Sequence, residues 1–321
     1  MSGPERAPRK LTILAAFAAL YTVWGSTYLG ILFAIRSIPP LLMAGARFFL
    51  AGLIMLAIAR TQGSIQSSLA EWRTALIVGA CLLFFGNGGV TIAEQWVPSG
   101  LASLLVATVP IYITLLAWLG GMSPRPRPAV LLGLVAGFVG IGVLVGPALF
   151  EPAAGRSQHA GLGMVILLFG SLVWSIGSLY SRRAASSAPP FLSSAQTMLC
   201  GGALMLLAGL GSGELRQFHP EKMTLLSLGA FAYLVLIGAI VGYTAFIFLM
   251  RHCDPAKVAT YAYVNPVVAV LIGAFFADET LTGRTALAGA IILGSVALVI
   301  TTTPPRRKIL PSPRGAVAQF R

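Results

Sequence analysis

Tyr261-Ala262-Tyr263-Val264-Asn265-Pro266 sits halfway along an apolar run, Ala256–Ala277, that is long enough to cross a bilayer. Proline lacks a backbone N–H and clashes with the carbonyl four residues back. A helix through this stretch therefore leaves the Ala262 carbonyl without its usual donor. In hydrocarbon such a carbonyl survives only against other protein or a watery cavity. Two tyrosine hydroxyls and an asparagine amide within one turn suit the cavity. The device recurs upstream, where Val106-Ala107-Thr108-Val109-Pro110 places a proline midway along Ser99–Leu119 and frees the Val106 carbonyl. Two interrupted helices in corresponding places point to a solute site near the middle of a membrane bundle.

Composition agrees with a membrane chain. Of its 321 residues 57% are hydrophobic and 10% charged, with a mean hydropathy of +0.86; a soluble domain carries about 25% charged residues. Apolar runs of roughly 20 residues recur from end to end, each a spanning-helix candidate. The reading is an all-α polytopic membrane protein with the lipid bilayer as its surroundings. The net charge of +13 is spread in short clusters between spans. That is how orientation signals are distributed, and no nucleic-acid partner is expected. Cys81, Cys200 and Cys253 are scattered, which suggests neither a disulfide framework nor a zinc site. The start (Arg6, Arg9 and Lys10 before an apolar run) has the outline of a signal peptide. The run is too long, however, and carries Trp24, Ser26, Thr27 and Tyr28 in place of a small-residue cleavage site, so a retained first helix is expected.

Ten spans are predicted: Leu11–Ile35, Pro40–Ala59, Thr74–Ala93, Ser99–Leu119, Ala129–Leu149, Gly161–Tyr180, Pro190–Gly211, Met223–Met250, Ala256–Ala277 and Thr285–Thr303. Residues 1–10 and 304–321 read as basic cytoplasmic tails. Among the 22 Lys and Arg residues, Arg36, Arg156, Arg216, Lys222 and Arg284 fall on one side. Arg47 lies inside a span, and the remainder share the other side. By the positive-inside rule that richer side, with both termini, is cytoplasmic. The chain also repeats. Trp24 and Trp174 stand 150 residues apart, as do Pro39-Pro40 and Pro189-Pro190; Pro110 and Pro266 stand 156 apart, as do Gly133 and Gly289. Residues 11–149 and 161–303 thus form two units of five spans. An odd number makes the second enter from the opposite face, an inverted repeat.

Several motifs then act as a set: Val23-Trp24-Gly25-Ser26-Thr27-Tyr28, Ala44-Gly45-Ala46-Arg47-Phe48, Gly86-Asn87-Gly88, Val97-Pro98-Ser99-Gly100-Leu101-Ala102 and Tyr261–Pro266. Together they resemble the EamA-type permeases of the drug/metabolite transporter superfamily, over nearly the whole of Leu11–Thr303. The resemblance implies two EamA units, with helices 1–4 and 6–9 around a central cavity and helices 5 and 10 peripheral. It also implies a bacterial inner-membrane exporter of small metabolites, amino acids foremost. A broad exporter of drugs and amphipaths is the alternative, and a non-transporting receptor or scaffold is a third reading from another class. One departure is visible: Asp278-Glu279 fits the family's acidic turn after helix 9, whereas the first half has Met122-Ser123 there.

Arg47 is the only basic residue well inside a span. A charge there costs several kcal/mol, about 3 at the lower estimate, unless paired or hydrated. It would hold a substrate carboxylate, pair with Glu94, or serve as a structural cation bonded to carbonyls. Glu94, at the end of helix 3, is a candidate gate or coupling group, with an ordinary interfacial acid as its alternative. No second carboxylate is expected in a span, which argues against an obligatory acidic proton relay. Trp24, Tyr28, Trp174, Tyr261 and Tyr263 are candidate cavity walls for amphipathic solutes, set against the interfacial anchoring usual for Trp and Tyr. Asn87, flanked by Gly86, Gly88 and Gly89, would bend helix 3 or bond to a neighbour. Asn265 would line the cavity or satisfy a freed carbonyl. Pro110 and Pro266 are the expected hinges. Gly133, Gly137 and Gly140 permit close helix packing first, and a homodimer face second.

Enzyme classes find little to stand on. No G-x-x-x-x-G-K-[ST] loop occurs, and Lys10, Lys222, Lys257 and Lys308 all fall outside the spans. His159, His219 and His252 stand singly, without metalloprotease spacing. No span offers a His or Lys base beside a nucleophile. No enzyme activity, cofactor or metal is expected.

Overall fold

The computed structural model describes residues 10–61, 63, 67–150, 159–184, 188–253, 258 and 260–302, with side chains of 144–150 and 251 left aside. The expected basic tails, Lys10 apart, lie outside these residues. The long helices are α1 (Lys10–Ala34), α2 (Pro40–Thr61), α3 (Leu69–Ala93), α4 (Ser99–Leu119), α5 (Pro128–Phe150), α6 (Ala160–Ala184), α7 (Pro190–Gly211), α8 (Leu225–Met250, running on to His252), α9 (Tyr261–Phe276) and α10 (Gly283–Thr302). Among the described residues there is no strand. Eight of these helices are long and apolar enough to cross a membrane; α5 over Pro128–Val143 and α9 are apolar but shorter.

Local chemistry sets the ends. α3 begins five residues before the predicted Thr74 because Ser68 and Glu71 form a capping box, with Glu71 N–H donating to Ser68 Oγ (3.3 Å) and Ser68 N–H to the Glu71 carboxylate (3.0 Å). α8 begins at Leu225, two residues after the predicted Met223, where the Thr224 hydroxyl accepts from Ser227 N–H (3.1 Å). Prolines open α2 and α7, where a missing N–H costs nothing.

Pro110 interrupts its helix as predicted. α4 consists of Ser99–Val106 and Val109–Leu119 joined through Ala107-Thr108, with the proline in the first turn of the second piece. Pro266 does not. α9 runs unbroken from Tyr261 to Phe276 with the proline inside it, so the Ala262 carbonyl lacks its usual donor without the helix parting. Of the predicted start of this span, 256, 257 and 259 lie outside the described residues. Two further irregularities were not predicted. α3 over Ala80–Asn87 and α8 over Leu234–Val241 widen into π-helix, with i→i+5 hydrogen bonding.

Helix contacts come in matched sets. α1 packs on α9 and α8; α6 packs on α4 and α3. α2 packs on α8, and α7 on α3, while α2–α7, α4–α9 and α5–α10 pair with each other. Exchanging α1–α5 for α6–α10 reproduces this pattern. The α2–α7 crossing brings backbone against backbone: a Cβ on Gly202 would come within 2.6 Å of Phe49 N, and one on Gly45 within 2.7 Å of Leu206 N. Gly133, Gly137 and Gly140 face Val299, Ser295 and Ile292 of α10, so that stripe is taken up within the chain. Leu132, Leu207, Leu271 and Phe275 stay exposed on the outside of the bundle, a surface suited to lipid and not to water.

Candidate functional site

The polar groups gather where α1, α2, α3, α8 and α9 meet. Arg47, on α2, is 4% exposed. Its Nη2 donates to Asn87 Oδ1 at 3.1 Å, and its guanidinium lies over the Phe48 ring at 4.2 Å. Nε and Nη1 have no partner. Asn87 is the last residue of the π segment in α3, so the widened turn is what delivers its amide to Arg47. Glu94 closes the same helix as its C-terminal cap. It is 3% exposed and neither carboxylate oxygen has a hydrogen-bond partner. Glu94 is therefore enclosed by protein at the end of its helix and is not a solvent-facing acid. Arg47 and Glu94 feel each other electrostatically without touching. Tyr28 lies within range of Glu94, and Tyr243 within range of Arg47.

Beside this pair stands an aromatic group. Trp24 meets Tyr243, Phe246 and Tyr261 at ring-centroid distances of 5.6, 5.4 and 5.1 Å, the Tyr261 contact edge-on. Trp24 reaches them because Gly242, the first residue after the π segment of α8, offers no Cβ in its path. Trp174 is seated in the same way, over Gly86 of the other π segment, apart from the Trp24 group. Tyr263 is half-buried on the first turn of α9. Asn265 is 8% exposed with Oδ1 unpartnered. The structure thus brings Trp24, Tyr28, Arg47, Asn87, Glu94 and Tyr261 together, and leaves Trp174 in a neighbouring seat.

Some contributors were not foreseen. Tyr243 and Phe246 were missed, although the 156-residue offset that pairs Pro110 with Pro266 carries Asn87 onto Tyr243. Gln196 on α7 is a further buried polar side chain, 1% exposed with Nε2 unpartnered, and as a lone amide in an apolar span it is visible in the sequence. Glu279 was noticed only as part of a turn. Asp278 adopts a left-handed φ of 52°, which Asp tolerates better than most residues. The chain then folds back so that Glu279 N–H donates to Gly273 C=O at 3.3 Å. This sends the Glu279 carboxylate under the start of α4, where it accepts from Ser99 N–H and Ser99 Oγ (2.7 Å each) and Gly100 N–H (2.9 Å). Unpaired N–H groups at a helix start favour an anion. Glu214 does the same for α2, accepting from Leu41 N–H (3.1 Å) and Leu42 N–H (2.9 Å). Against the Glu279 clasp lies a cleft of about 250 Å³ lined by Trp96, Leu101, Met164, Val270 and Thr282. α9 packs along Ser99–Val106, while Val109–Leu119 turns to α6 and α10.

Membrane-crossing helices wrapped around a buried charged pair, with one helix interrupted at mid-length, define a polytopic membrane transporter. The chain belongs to the EamA-like transporter family, whose model matches residues 10–146 and again 161–301. It is 37% identical over 290 residues to the uncharacterized inner membrane transporter YedA of Escherichia coli K12, covering 90% of each chain. With the probable amino-acid metabolite efflux pump of the same organism it shares 26% identity over 299 residues, covering 89% of this chain and 93% of that one. A solved crystal structure superposes with a TM-score of 0.60 at 22% identity, over 91% of this chain and 98% of the other; that likeness is one of fold. The protein is a multi-pass inner-membrane transporter of this family.

Proposed function

We propose that the chain is a secondary transporter that carries small metabolites, amino acids foremost, out of the cell by alternating access. The observation that carries this reading is Arg47: a guanidinium buried in a membrane-crossing helix, hydrogen-bonded to Asn87, lying over the Phe48 ring and keeping two donor atoms unused. Burying such a charge is costly without a partner, and a solute carboxylate would satisfy it bidentately. The likeness to a probable amino-acid metabolite efflux pump supports the substrate class.

In this reading α1–α10 all cross the bilayer, α1–α5 and α6–α10 form two inverted repeats, and both termini face the cytoplasm. The matched helix contacts support the exchange symmetry, and the distribution of basic residues supports the orientation. The Glu279 end of α4 then faces outward. The halves rock about the break before Pro110 and the turns leading into Pro266, exposing the polar group to each side in turn. The alternative, a broad exporter of amphipaths, draws on the aromatic group around Trp24 and predicts little dependence on Arg47.

Counterflow tests this. Proteoliposomes loaded with unlabelled amino acids and given a labelled trace outside should accumulate label transiently without an ion gradient. Absence of accumulation across the amino-acid panel, from protein shown to be folded, would overturn the amino-acid reading.

A further inference from the structure

Glu94 has no role in the transport reading so far, yet its state is unusual. A buried carboxylate without a single donor is expensive, and leaving donors of a buried guanidinium unused is expensive too. Asn87, which Arg47 bonds, and Glu94 stand about two turns apart on the one helix α3, and Glu94 is acted on electrostatically by Glu279 and by Arg47. A direct ion pair would relieve both, but Arg47 is turned onto Asn87 and Phe48 instead. The result is a guanidinium and a carboxyl group, both buried, not bonded to each other and each with unpartnered hydrogen-bonding atoms.

We infer that this pair reads a zwitterion: Arg47 takes the carboxylate and Glu94 the ammonium of a free α-amino acid. The inference rests on the transport reading and deepens it. A proton or a bare metal cation would answer Glu94 and leave the Arg47 donors as they are; a simple carboxylate would do the converse. An α-amino acid carries both charges on adjacent atoms and answers both groups at once. Tyr28, within range of Glu94, supplies a neutral hydroxyl at the ammonium end. The Trp24, Tyr243, Phe246 and Tyr261 rings, beside the Arg47 end, offer an apolar wall for the side chain. Glu94 thus becomes the residue that separates amino acids from acids of the same shape. Desolvated polar sites discriminate strongly against a ligand that leaves one partner empty.

The test compares three ligands of one carbon skeleton. Counterflow with the twenty standard amino acids first selects the one carried best by the unaltered protein. Equilibrium binding to purified protein then compares that amino acid with its des-amino acid and its decarboxylated amine. The unaltered chain should prefer the amino acid over both by tenfold or more. Glu94→Gln should weaken the amino acid at least tenfold and leave the des-amino acid unchanged, so that the preference between them collapses; Glu94→Asp should keep it. Arg47→Gln should give the mirror result against the amine. Equal loss of both ligands in a folded Glu94→Gln variant, or loss of neither, would overturn the assignment while transport stands. No counterflow for any amino acid would take both readings down together.

Discussion

Glu279→Gln removes the charge that holds the start of α4 against the α9–α10 turn. Three donors converge on this carboxylate, at 2.7, 2.7 and 2.9 Å. Bonds to a charged acceptor contribute about 1.5–3 kcal/mol each and neutral ones about 0.5–1.5 kcal/mol. The charge also meets the positive end of α4, worth about 0.3–1 kcal/mol. Glutamine keeps one accepting oxygen and turns an amide N–H₂ toward Gly100 N–H, donor against donor. The side chain is partly exposed, and solvent screening trims the total. A loss of about 1–3 kcal/mol results, equivalent to roughly 5–150-fold in the balance between joined and separated α4 and α9. The assay replaces Cys81, Cys200 and Cys253 and introduces Ser103→Cys, at a fully buried position one turn beyond Gly100. Labelling by a membrane-impermeant maleimide, added on the Glu279 side of oriented vesicles, should quicken within that range in Glu279→Gln. An unchanged rate, with the protein intact, would refute the clasp as the element that closes this end.

Glu214→Gln serves as its contrast. It removes the acceptor for Leu41 and Leu42 N–H and should cost about 1–2 kcal/mol of stability, read in denaturant unfolding, while Ser103→Cys labelling stays as it was. Gly202→Ala drives a methyl group to within 2.6 Å of Phe49 N; backbone cannot yield as a side chain does, so at least the usual cost of about 1–3 kcal/mol for overpacking applies. Its melting temperature in detergent should fall, and an unaltered one would show that α2 and α7 can slide apart. Arg47→Ala should weaken transport of carboxylate solutes far more than that of amines or drugs. Equal loss for all three would make the arginine structural.

What the sequence made legible follows from how local each signal is. Pro110 announces its own break because the missing N–H acts within one turn. The reach of Pro266 depends on where its helix begins, and that is decided by chain outside the motif. The Ser68-to-Glu71 cap could have been found by its spacing alone, since both bonds lie within four residues. Arg47 stood out as a charge in an apolar run, but its attachment to Asn87 joins two helices and needs the fold. The burial of Glu94 is hidden for the same reason: position along a helix does not say which neighbours close around its end. Glu279 grips a residue 180 positions away, and no local pattern announces such a contact. Tyr243 was within reach, had the repeat been extended from prolines and glycines to polar residues.

The two π segments have a mechanical consequence. Each holds one residue more than an α-helix would over the same hydrogen bonds, like a slack link in a chain. Drawing that slack out would turn the following stretch by roughly 100° and advance it about 1.5 Å, one residue of ordinary helix. Asn87 and Gly86, with its seated Trp174, sit at the end of one segment; Gly242 and Tyr243, with Trp24 above, follow the other. If one helix tightens while its counterpart loosens, the number of backbone bonds is conserved, and the Asn87 amide and the Tyr243 phenol, both within range of Arg47, turn together. The molecule would then change hands at its centre like a balance beam, with almost no weight lifted.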